Sequence, residues 1–252
     1  MKYKVILFDL DGTLLSLDQE VFTKKYYKLL AKKFSPLGYE PQKLVKTTLK
    51  GLQAMVKNDG SKMNNDAFGG KFIETYGIKA KSDYQKFLRF YERDFDELQS
   101  VCKYNQVAVD AVQKIKEMGI TVALATNPIF PLIAQKKRVY WAGFSPSDFK
   151  IITNYETERF CKPNPYYYID ILRRLNVKAS ECLMVGNDVK EDMIAQTVGL
   201  NVFLLTDNLI NKDDEDISLY PHGSFFDLLD YISESSDGNG LSEEARIKYY
   251  GI

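Results

Sequence analysis

The hydrophobic and polar positions of this chain fall into two rhythms. Val5-Ile6-Leu7-Phe8 is a short apolar run that ends in Asp9, Asp11 and Gly12, the pattern of a buried strand entering a turn. From about Asp18 to Leu98 the spacing becomes helical. Phe22, Tyr26, Leu29 and Leu30 share one face, as do Val45, Leu49, Leu52 and Val56, and then Phe87, Tyr91, Phe95 and Leu98. Ser35-Pro36-Leu37-Gly38 and Asn58-Asp59-Gly60-Ser61 break the segment, and no strand-like alternation separates them. The expectation is an all-helical unit of about four helices.

Beyond Asn105 helices and strands alternate. Ala108, Val112 and Ile115 mark a helix closed by Gly119, and Ile120–Ala125 is a β-rich apolar run. Pro163 and Pro165 precede a helix carrying Ile169, Leu172 and Leu175; Cys182–Val185 reads as a strand, Glu191–Val198 as a helix closed by Gly199, and Val202–Leu205 as a strand. Such alternation implies a parallel sheet covered on both faces. The helical segment separates the first strand from its partners, so it is an insertion into a Rossmann-like α/β core. The expected domains are a core of residues 1–16 and 101–235, a helical unit of 17–100, and a tail of 236–252. Ser233–Gly240 reads as a polar linker ahead of that tail.

Composition narrows the chemistry. Of 252 residues, Lys plus Arg and Asp plus Glu each total 34, which argues against a protein held mainly by nucleic acid or an anionic membrane surface. A single histidine, His222, excludes His-rich metal sites and leaves little room for Ser-His-Asp or Cys-His systems. Cys102, Cys161 and Cys182 are odd in number and far apart, so a reducing, cytoplasmic setting is expected. The apolar start is cut by Asp9 and Asp11 too early for a signal peptide, and no stretch is apolar enough to span a bilayer. Carboxylates, lysine and a hard metal are left to do the work.

Four segments supply these groups. In Asp9-Leu10-Asp11-Gly12-Thr13, side chains two apart on a strand share a face, so both carboxylates point to the strand's C-terminal edge, where parallel sheets bind ligands. That suits a nucleophile and a proton donor assisted by a cation; an Asx-type turn is the plainer alternative. Thr126-Asn127-Pro128 offers a hydroxyl and an amide at a strand end, or simply a turn initiator. Lys162, beside a proline-set helix start, is either an anion-binding ammonium or a solvated lysine. Asn187, Asp188 and Asp192 offer hard oxygens to a cation such as Mg2+, or serve as helix cap and first-turn acids.

Taken together, in this order at strand ends, the four segments resemble the haloacid dehalogenase superfamily of phosphohydrolases, from Asp9 to about Thr206, with the helical insertion where that family carries its type-1 cap. The resemblance implies Asp9 as nucleophile, Asp11 as general acid/base, Thr126 with Asn127 at the phosphate and Lys162 stabilising the phosphoryl group. It further implies Mg2+ held among Asp9, Asp11, Asn187, Asp188 and Asp192. One position departs from the pattern: the residue after Gly186 is usually Asp and here is Asn187. An acid at position 11 points, within that family, to phosphate monoesters or to a phosphomutase. The implied activity is a Mg2+-dependent phosphatase acting on a small phosphorylated metabolite; the alternatives are a mutase and a non-catalytic binding protein with the same fold. The loop Asn58–Asp66 is expected to face the site and read the leaving group, with Lys62 a substrate contact, or else to be a plain solvated turn.

Overall fold

The structure, a computed structural model, describes residues 2–237. Its elements are β1 (Val5–Phe8), β2 (Ser16–Leu17), α1 (Gln19–Phe34), α2 (Pro41–Val56), α3 (Asn64–Tyr76), α4 (Ile78–Ser82), α5 (Tyr84–Arg89), β3 (Cys102–Lys103), α6 (Gln106–Glu117), β4 (Thr121–Leu124), α7 (Leu132–Trp141), α8 (Pro165–Leu175), β5 (Cys182–Gly186), α9 (Val189–Asp192), β6 (Asn201–Leu205), β7 (His222–Gly223) and α10 (Phe225–Asp237). The central sheet is five-stranded in the order β4-β1-β5-β6-β7, and every pairing is parallel. This is the α/β, Rossmann-like core with an inserted helical cap that the alternation implies.

The strands are apolar throughout because both faces of the sheet are covered. Ile6 and Phe8 of β1 pack into one hydrophobic cluster with Val122, Leu124, Leu183, Val185 and Phe203. The intervening Val5 and Leu7 pack into a second, on the other face, with Ala123, Met184, Val202 and Leu204. Period-two side-chain alternation thus feeds two cores instead of one core and solvent.

The cap leaves through β2 and returns through β3, and these two short strands pair with each other, antiparallel, as a neck. Its core is aromatic and continuous with one face of the sheet domain: Phe22, Tyr26 and Phe95 belong to the same cluster as Phe8 and Trp141, and Tyr26 meets Phe130 edge-on at 5.5 Å.

Local expectations fail where tertiary packing decides. α1 buries Phe22, Tyr26, Leu29 and Leu30 as its spacing predicts. α2 instead buries Leu44, Thr47, Thr48, Gly51 and Met55, leaving Leu49 and Val56 exposed. The threonine hydroxyls donate to the carbonyls of Lys43 and Leu44, which removes the cost of burying them. Gly51 admits Phe68 so closely that a Cβ there would lie 2.5 Å from its ring. The helix expected over Phe87–Leu98 is divided into α5, a π turn (Phe90–Asp94) and a 3-10 segment (Phe95–Val101). The wide turn lets the consecutive Phe90 and Tyr91 both face inward, which one α-helical stripe would not allow. α7 and α10 are additional to the elements read from the sequence. α10 absorbs Ser233 to Asp237, expected as linker; of the 236–252 tail, residues 238–252 lie outside the described residues. No described helix is long and apolar enough to cross a membrane.

Candidate active site

The strand register brings the candidate segments to one rim. Phe8 is level with Leu124 on one side and Val185 on the other, so Asp9, Thr126 and Asn187 leave neighbouring strand ends together. The Asp9 amide still donates to Val185 and the Ala125 amide to Phe8, which holds the nucleophile candidate in strand geometry. The chain then turns tightly, with the Gly12 amide donating to Leu15 and the Leu15 amide to Leu10. Gly12 has φ +88°, and a Cβ there would lie 2.3 Å from Nδ2 of Asn187. Only glycine fits that turn, for backbone and steric reasons alike.

Lys162 is buried, contrary to the solvated alternative. Its ammonium donates to Oδ1 of Asp9 at 2.8 Å and to Oδ1 of Asp192 at 2.6 Å. Burial by itself would depress this lysine, but the carboxylates of Asp192 and Asp9 overcome it and hold the charge well above the usual lysine range. Both carboxylate partners of Lys162 line a cavity of about 210 Å3, whose wall includes Asp9, Asp11, Thr126, Asn127, Asn187, Asp188, Glu191 and Asp192.

The oxygen-bearing residues after β5 have distinct partners. Asn187 accepts from the Thr13 hydroxyl at 2.9 Å and donates to the Asn208 carbonyl at 2.7 Å, while Asn208 donates to the Gly12 carbonyl. Its amide therefore braces the Asp9–Thr13 turn. Asp188 is the N-cap of α9, its Oδ1 accepting from the amides of Lys190 and Glu191. Asp192 takes Lys162 on one oxygen and the Asp188 amide on the other. Among the described residues no three acidic, cysteine or histidine side chains converge as a ready metal cage. The donor set is nonetheless of the kind a hard cation takes: carboxylates crowd the cavity wall, and Oδ1 of Asp11 is buried without a partner.

Thr126 is fixed by its backbone, whose carbonyl accepts from the hydroxyls of Thr153 (2.7 Å) and Tyr167 (2.9 Å). Asn127 donates to Glu191 at 3.0 Å, and its own side-chain oxygen is buried and unpartnered. Lys62 is exposed and is not among the residues that line the cavity; its carbonyl accepts from Asn58. The loop around it docks on the core: Asn64 and Asn65 donate their amides to the carbonyls of Glu158 and Tyr155, next to the segment that carries Lys162.

A family model for haloacid dehalogenase-like hydrolases matches residues 3–196. The chain belongs to that family. It is 24% identical over 200 residues to a bifunctional riboflavin kinase/FMN phosphatase of Arabidopsis thaliana, a match covering 78% of this chain and 47% of that protein, so the chain spans about half its length. It is 23% identical over 203 residues to a phosphoglycolate phosphatase of Aliivibrio fischeri, covering 81% of this chain and 84% of the relative. The crystal structure of a haloacid dehalogenase-type phosphatase from Thermococcus onnurineus shares the fold, with a TM-score of 0.58, 16% identity, and coverage of 94% of this chain and 100% of that one.

Two polar residues of this haloacid dehalogenase-like hydrolase escaped the sequence reading of its site. Arg138, on α7, is 1% exposed and donates to Oδ2 of Asp11 and to Gln135, with its guanidinium 4.7 Å from the centre of the Phe130 ring. Within Lys136-Lys137-Arg138 it looks like part of a solvated basic run. The helical signal was present, since Lys136, Lys137 and Arg138 lie between the apolar Leu132, Ile133 and Val139, and Gly143 follows as a stop. Burial lifts the Asp11 carboxyl above its ordinary value, against the opposing pull of Arg138. Glu191 is the second: burial raises it to about 7, with Lys162 opposing.

Proposed function

We propose that the protein is a Mg2+-dependent phosphatase of small phosphate monoesters. The observation that carries this reading is Asp9, at the C-terminal end of β1, lining the cavity and ion-paired at 2.8 Å with the buried Lys162, with Asp11 lining the same cavity. The phosphatase names of the two relatives support it.

An oxygen of Asp9 attacks phosphorus, the bond from phosphorus to the ester oxygen breaks, and Asp11 gives its proton to the departing alkoxide. Asp11 then accepts a proton from the water that attacks the aspartyl-phosphate, releasing inorganic phosphate and restoring the Asp9 carboxylate. Lys162 keeps its charge throughout and offsets the negative charge of nucleophile and phosphoryl group. Thr126 and Asn127 hold phosphoryl oxygens. A bound Mg2+, held by Asp9, Asp11 and Asp188, would supply the additional positive charge that a dianion meeting a carboxylate requires. Asn187, with its amide engaged on both sides, acts as a brace in this reading and not as a ligand.

The test is p-nitrophenyl phosphate hydrolysis with Mg2+ and with EDTA, in the wild type and in Asp9→Asn. Mg2+-dependent release of p-nitrophenol that Asp9→Asn lowers by about 1000-fold or more is expected. Activity unchanged in Asp9→Asn would remove the nucleophile assignment, and wild-type activity that is indifferent to EDTA would remove the metal.

A further inference from the structure

The cavity over Asp9 is lined by two unlike sets of residues. Besides the carboxylates of the core, the cap and its neck contribute the apolar and aromatic Leu17, Phe22, Tyr26, Leu52, Phe68 and Tyr91, along with Gln19, Thr23, Tyr27 and Thr48. Phe130, from the loop after β4, completes this wall and meets Tyr26 at 90°. The lysine on the cavity lining, Lys212, is exposed and belongs to the core, and none of the cap residues that line the cavity is cationic. Its buried hydroxyls are also engaged: Thr48 donates to the Leu44 carbonyl, and the hydroxyls of Tyr26 and Tyr91 are joined at 2.8 Å. Behind the wall lies a second, largely apolar cavity of about 460 Å3, which Tyr26, Thr48, Phe68 and Tyr91 also line. Asn65 borders it with a side-chain oxygen that is buried and unpartnered.

Resting on the phosphatase reading, we infer that the leaving group is an uncharged alcohol bearing an aromatic ring, and that Phe68, Tyr91 and Leu52 set this preference. A flat ring gains apolar burial and edge-to-face contact against the rings already there. A carboxylate on the leaving group loses its water against the same wall and meets no cation from the cap. The wall therefore selects by attraction and by exclusion.

Benzyl phosphate, ethyl phosphate and 2-phosphoglycolate all release alkoxides, so comparing them isolates the wall from leaving-group reactivity. With Mg2+ present, kcat/KM for benzyl phosphate is expected to exceed both others by about tenfold or more. Equal values, or a preference for phosphoglycolate, would overturn the inference. Leu52→Lys places an ammonium on the wall and is expected to shift the benzyl-to-glycolate ratio about tenfold toward phosphoglycolate; Phe68→Leu keeps the bulk, removes the ring, and is expected to lower the benzyl-to-ethyl ratio through KM. Ratios that stay unchanged in both variants count against the wall. Calorimetric binding of benzylphosphonate and ethylphosphonate separates this inference from the reading beneath it. Tighter benzylphosphonate binding supports the wall even when no ester is hydrolysed, a result that would overturn the phosphatase reading alone. Equal binding overturns the wall.

Discussion

The buried guanidinium of Arg138 donates to the carboxylate of Asp11, a partner 127 positions away in the chain. The contact joins the turn after β1 to α7 and places a fixed positive charge on the residue assigned to proton transfer. Asp11 is thereby oriented, and its charge is matched where water is scarce.

Arg138→Met leaves Asp11 without its counter-charge and should destabilise the fold by about 2–3 kcal/mol, since removing one member of a buried pair strands the other. kcat/KM for p-nitrophenyl phosphate should fall about tenfold or more. Arg138→Lys should not restore it, because a single ammonium cannot reach Asp11 and Gln135 with the planar fork that Arg138 uses. Urea denaturation and steady-state kinetics on both variants check this. Wild-type values in Arg138→Lys would show that charge alone suffices.

Asn187→Asp restores the residue usual at this position in the resembling family, yet it should weaken this protein. An aspartate cannot donate to the Asn208 carbonyl and would set a carboxylate against that oxygen. In EDTA the loss should be about 1–3 kcal/mol, the cost of an unmade buried hydrogen bond. Thermal melting compared with wild type decides it, and an unchanged or higher Tm would mean that the brace contributes nothing.

Asp83, which is not on the cavity lining, supplies a pH dependence. Hydrogen bonds from Lys86, and then from Lys79 and Tyr39, hold its carboxyl down at about 2 against the opposing effect of burial. The folded-state value lies below that of the unfolded chain, roughly 3.9. Its contribution is therefore complete above about pH 4 and is lost as pH falls toward 2. Asp83→Asn should cost about 1–2 kcal/mol at pH 6 and show a flatter decline between pH 4 and pH 2.5 than the wild type. Parallel acid-side stability curves would count against this contact.

Much of this was readable in the linear order of residues. Apolar runs ending in Asp9, Thr126 and Asn187 announced strands buried on both faces and the rim beyond them, because a residue at a parallel strand's C-terminal end has few places to point. The reading failed where hydrophobicity and burial part company. Thr47, Thr48 and Gly51 outcompete Val45, Leu49 and Val56 for the inside of α2 because hydroxyls bonded to their own helix are cheap to bury and glycine admits Phe68. Arg138 was hidden in a basic run because nothing local marks which of three cations turns inward.

By itself the sequence indicated the alternating core and the inserted helices, since periodicity follows from residue types and spacing alone; the candidate residues Asp9, Asp11, Thr126, Asn127, Lys162, Asn187, Asp188 and Asp192 stood out as a set only through their order at strand ends and the family resemblance it carries. Only the tertiary structure decided which contacts these side chains make. It made Asp188 a helix cap, turned Asn187 into a brace for Thr13, buried Lys162 between two carboxylates and set an aromatic wall in the same cavity. These outcomes depend on distances between segments remote in the chain, and such distances exist only once two cores have packed.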